Sequence, residues 1–178
     1  MKWWVTVAVV MTAVSIAEAA ETGQPRTIDL QLRSDARVPT HILRDSQDVV
    51  TQIFATAGLI VRWTDTAPQF TVTIVPQVLG YARASSSVMG VARRSPDGLT
   101  VQVFFRQVQD FARTYRVDLS TILAHVIAHE VGHLLLPGGA HSPTGLMQAG
   151  WDRALARKAV RDSLTFTEAE ASRMRASR

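Results

Sequence analysis

The chain has 178 residues, 47% of them hydrophobic and 19% charged, with a formal net charge of +4 and no cysteine. That balance excludes a disordered chain, which could not bury enough apolar surface to order itself. The missing thiols exclude disulfide staples, thiolate metal sites and an acylated amino-terminal cysteine.

Residues 1–19 read as a secretory signal peptide: Lys2 gives a positive start, an apolar run follows from Trp3 to Ile16, and Ala17-Glu18-Ala19 is a small-x-small cleavage pattern. The apolar run is short for a bilayer span and no positive flank closes it, so no stable membrane insertion is expected once the leader is cut. Its removal takes Lys2 and Glu18 together and leaves the charge at +4. Residues 20–178 then form one exported domain, secreted or periplasmic, held together by its core alone.

Within that domain, residues 27–32 alternate apolar Ile28, Leu30 and Leu32 with polar partners, the period of a half-buried strand. Residues 42–57 change to helical spacing, with Val49, Val50, Ile53, Phe54 and Ala57 three and four apart and Gly58 as a stop. Residues 59–63 and 70–75 are predicted strands, the second ended by Pro76. After a Gly- and Ser-rich passage over 80–87 comes a short extended piece, Val88 to Ala92. Ser95-Pro96-Asp97-Gly98 is then a turn, because proline presets one dihedral and glycine tolerates the next. A strand over 99–105, a short helix over 106–115 and a long helix over 120–136 follow, the last ended by Pro137-Gly138-Gly139. Helices are expected near 152–162 and from Thr167, where Thr-x-x-Glu with Glu170 is a capping-box pattern. Strand, helix, strands, then a long helix predicts an α+β (mixed α/β) domain, a twisted mixed sheet packed with helices.

The long helix carries His129-Glu130-x-x-His133, capped ahead by Ser120 or Asp118. Residues four apart share a helix face, so the two imidazoles can grip one Zn2+ while Glu130, one step round, faces the water it would deprotonate. A catalytic zinc needs a third protein ligand and one open position. His141 follows across a proline and two glycines that can turn the chain back, and Asp152, Glu168 and Glu170 are the carboxylate alternatives. His125, a turn earlier on the helix, reads as a histidine near the cleft mouth or behind the ligands, and His41 has no metal partner in view.

From the motif helix to Met147 the chain resembles the metzincin zinc metalloproteases, whose signature is HExxHxxGxxH followed by a methionine turn. The resemblance is weaker over the strands and helix from Ile28 and does not reach past Asp152. It implies His129, His133 and His141 as ligands, Glu130 as general base, Met147 as the floor of the site, and Met89, Gly90, Val91 and Ala92 as the edge strand along which extended peptides bind. The chain departs from the signature at Leu136, which stands in place of the usual glycine, and at Gly139, in place of the third histidine. A two-residue insertion moves the turn to Gly138-Gly139 and the ligand to His141.

The expected activity is an exported zinc-dependent endopeptidase acting on a peptide or protein substrate. The rivals are an HExxH hydrolase with a downstream carboxylate ligand, and a secreted zinc- or peptide-binding module without turnover. The retained Glu130 speaks against the last, because a structural zinc needs no base. The oxyanion stabiliser is not legible: the phenols available are Tyr81 and Tyr115, and neither follows the methionine. The Arg153, Arg157 and Arg161 stripe reads as a solvated helix face. Without interleaved aromatics it does not suggest nucleic acid.

Overall fold

A computed structural model describes residues 25–77, 88–136, 138, 141–161 and 164–177. The proposed signal peptide, Tyr81 and most of the glycine turn after the long helix lie outside the described residues. The elements run β1 (Arg26–Ser34), α1 (Thr40–Thr56), β2 (Leu59–Trp63), β3 (Phe70–Val75), β4 (Gly90–Ser95), β5 (Gly98–Phe104), α2 (Phe105–Tyr115), α3 (Leu119–Leu135), α4 (Arg153–Val160) and α5 (Glu168–Ala176). The expected α+β domain with a mixed sheet is what is found.

The five strands lie in the order β2-β1-β3-β5-β4, parallel throughout except for β4, which pairs antiparallel with β5 and forms one edge. Alternation decides the two faces. Ile28, Leu30, Val72, Ile74, Val101 and Val103 are fully buried beneath the helices, whereas Asp29 on the other face meets Arg62 of β2 at 2.6 Å. Gly58 ends α1 with φ +75°, a conformation glycine adopts without strain, and feeds the chain straight into β2.

The helix α3 is apolar nearly all round, with Ile122, Leu123, Ile127 and Val131 fully buried. A helix of that kind belongs in the middle of a fold. It packs on α1, on β4 and β5, and on α2 and α4. Asp118 is its cap, accepting from Thr121 N at 2.7 Å. Two of its hydrogen-bond partners, Ser120 and Thr121, hold its carboxyl below the usual range even though burial pushes it upward. The carboxyl-terminal α5 is started by the expected capping box of Thr167 and Glu170. It is tied to the ends of α1 and α3: Arg175 donates to the Ala57 carbonyl at 2.9 Å, and Ser177 to that of Leu135 at 3.2 Å.

Several boundaries differ from expectation by a few residues, and that of β4 has a tertiary reason. The strand β4 continues past Ala92 to Ser95 because it closes a hairpin with β5 through Ser95 and Gly98, whose φ is +134°. The long helix stops at Leu135, with Leu136 already extended.

Candidate metal centre

His129 and His133 project from one face of α3, and the segment after the helix returns His141 to them. Their ligating nitrogens lie within 4.8 Å of one another, and no carboxylate joins this group among the described residues. Asp152, Glu168 and Glu170 are engaged elsewhere. Asp152 caps α4 through Leu155 N at 3.0 Å, and Glu168 pairs with Arg175 at 2.6 Å. Glu170 is buried between Thr167 N, at 2.7 Å, and the Ser142 hydroxyl.

The donor set fits a divalent ion. His129 Nδ1 donates to the Leu146 carbonyl at 2.8 Å, which fixes the tautomer and leaves Nε2 with a lone pair. That Nε2 lies 3.1 Å from His133 Nε2. Two nitrogens about 2.0–2.1 Å from one tetrahedral zinc stand about 3.3 Å apart, so the observed pair is spaced for a shared ion. Burial lowers the His129 pKa from 6.5 to about 4; the Leu146 carbonyl opposes this shift and the charges of His133 and His141 reinforce it. The ring is neutral at neutral pH, as a ligand must be.

Glu130 lies against the edge strand. Burial raises its pKa from 4.5 to about 7, and the Ala92 N–H draws it back toward the ordinary range. A Cβ at position 90 would come 2.7 Å from the Glu130 Cγ, so only glycine lets β4 pass so close. The residues of the expected edge strand are therefore placed over the metal helix: Met89, Gly90, Val91 and Ala92 line the same cleft, of about 780 Å³, as the three histidines and Glu130. β4 itself starts at Gly90, so Met89 precedes the strand.

Met147 is fully buried. A Cβ at Gly132 would meet its Sδ at 2.5 Å and the Phe166 ring at 2.9 Å, so the absent side chain at 132 is what admits the thioether beneath the helix. The turn that carries it is knitted by Ser142 N to Met147 O at 2.9 Å and Leu146 N to Thr165 O at 2.8 Å.

Sequence reading missed three contributors. Trp151 lines the cleft and meets the His129 ring edge-on, with centroids 6.0 Å apart. Ser142, next to His141, ties the ligand loop to Glu170. Arg94 reaches the cleft from β4. The first could have been suspected from an aromatic placed soon after the methionine; the other two carry no local signal. His125 is buried on α3, with Nδ1 2.7 Å from the Thr121 carbonyl, outside the ligand group. His41 is exposed on α1. Arg153, Arg157 and Arg161 are all exposed, as a solvated face requires, and Arg153 lies 5.9 Å over the Tyr115 ring. No described helix is long and apolar enough to cross a membrane. Comparison with known proteins returns no matching family model and no matching curated protein.

Proposed function

We propose that this chain is an exported zinc-dependent endopeptidase with a metzincin-like site, in which His129, His133 and His141 hold the ion. The observation that carries the reading is the pairing of three convergent imidazoles with a buried carboxylate, Glu130, in one open cleft. Bound zinc would supply Lewis acidity, polarising a scissile carbonyl and bringing the pKa of water to about 7. Glu130 takes the proton of the attacking water onto its carboxylate and returns it to the departing amine nitrogen. Its raised pKa suits both halves of that exchange at neutral pH. His129 is held in register by the Leu146 carbonyl. β4, an edge strand among the described residues, offers main-chain groups to an extended substrate, and Trp151 lines the same cleft. The apolar segment at 1–19 supports export.

Zinc-loaded protein incubated with a mixed peptide library should cleave internal bonds, stop on chelation and recover on adding zinc. Glu130→Gln should keep stoichiometric zinc and lose about 10²–10⁴-fold in turnover. Zinc uptake without any cleavage by the unmodified protein would refute the peptidase and favour a binding module.

A further inference from the structure

Arg94 lines the same cleft as the histidines, and hydrolysis as proposed above gives it no task. It follows Ala92 by two residues on β4, so the two share a face of the strand. The Phe104 N–H donates to Met89 O at 2.8 Å, with Gly90 opposite Val103 in the ladder. Bonded and non-bonded pairs alternate in an antiparallel ladder, which turns the main-chain groups of Gly90, Ala92 and Arg94 away from β5. The Ala92 N–H is the group that meets Glu130.

The Arg94 guanidinium donates one N–H to the Leu134 carbonyl at the end of α3, which ties the head group to the metal helix. Arginine carries five such donors. Among the described residues it has no carboxylate partner, and the one carboxylate among the described cleft residues is Glu130. The cleft thus holds a cation with unspent donors in a planar fork, the geometry that matches a carboxylate.

We propose that Arg94 forms a subsite for a carboxylate, so that the cleft selects peptides with Asp or Glu at the position seated opposite it. The proposal rests on reading the cleft as a peptide-cleaving site. A peptide laid on the β4 edge sets its residue opposite Arg94 on the same face, with Cβ atoms about 5 Å apart. That residue stands about 7 Å along the strand from the one opposite Ala92, two residues from the part of the substrate beside Glu130.

The test uses zinc-loaded Glu130→Gln, which holds peptides without cutting them, and fluorescent extended peptides in which each position in turn is Glu or its uncharged twin Gln. Anisotropy should show one position where Glu binds about tenfold more tightly, as a charged hydrogen bond would give. The preference should shrink with added salt and vanish when Arg94→Gln is added, while Arg94→Lys keeps part of it. Melting of each variant reports whether the tie to Leu134 matters to the fold. No position at which Glu outbinds Gln, or a preference that survives Arg94→Gln, overturns the subsite. Cleavage by the unmodified protein is scored separately. A charge preference without cleavage keeps the subsite and removes the peptidase reading, and cleavage without a charge preference does the reverse.

Discussion

The two halves of the candidate metal centre are built by different physics. His129 and His133 sit on a helix buried in the middle of the domain, where one turn of backbone sets their spacing and the whole core sets their position. His141 sits on a segment outside regular structure, placed by a few hydrogen bonds around Ser142, Met147 and Glu170. A ligand pair carried by a helix is as stable as the fold. A ligand carried by a loop is as well placed as the polar contacts behind it.

Removing a ligand from the helix half and a support from the loop half should break this contrast most directly. His133→Ala leaves two nitrogens and should abolish stoichiometric zinc uptake in a chelator competition, with the fold retained because α3 keeps its apolar contacts. Loss of helical circular dichroism together with the metal would show instead that the helix half depends on the ion. Ser142→Ala is the sharper probe of the loop half. It should weaken zinc binding about 10–100-fold, as lost support behind a ligand does, and lower metal-free stability by about 1 kcal/mol for one hydrogen bond. Unchanged affinity would mean that the Ser142 backbone contact to Met147 alone holds His141.

Acidity separates the two buried groups of the helix half in metal-free protein. Glu130, raised to about 7, stabilises the fold below its ordinary 4.5 and loses that contribution as pH rises through 7. His129, lowered to about 4, contributes above 6.5 and loses its contribution as pH falls toward 4. Between pH 4.5 and 6.5 their slopes oppose. Glu130→Gln should therefore make chelated protein gain about 1.4 kcal/mol more per pH unit than the unmodified protein over that window, read from urea unfolding. Parallel curves for the two proteins would remove the assigned shift. Smallest is Gly132→Ala, where crowding of Met147 and Phe166 costs about 1–3 kcal/mol and better helix propensity returns about 1. A lowered melting temperature is expected, and an unchanged or raised one would show that Met147 moves freely.

The same division explains what could be read from the sequence. β1 and α1 declare themselves through periodicity, β2 and β3 through Gly58 and Pro76 around them, and the long helix through its motif, while the Thr167–Glu170 cap is written in four residues. Those are local signals. The full length of β4 depends on pairing with β5, and the work of Glu170 depends on where Ser142 comes to rest 28 positions earlier. A carboxylate that holds a ligand loop looks, in sequence, like a carboxylate that could itself bind metal. Only packing separates the two.

Gly90 of β4 lies against Glu130 of the motif helix, and Gly132 of that helix lies against Met147. Each marks a place where the neighbour touches the helix with no side chain between, so two missing methyl groups set the thickness of a three-tier stack of strand, helix and methionine loop. A methyl group at either would crowd a tier against its neighbour, Glu130 at position 90 and Met147 with Phe166 at position 132. The spacing of the candidate site is thus written partly in atoms the chain leaves out.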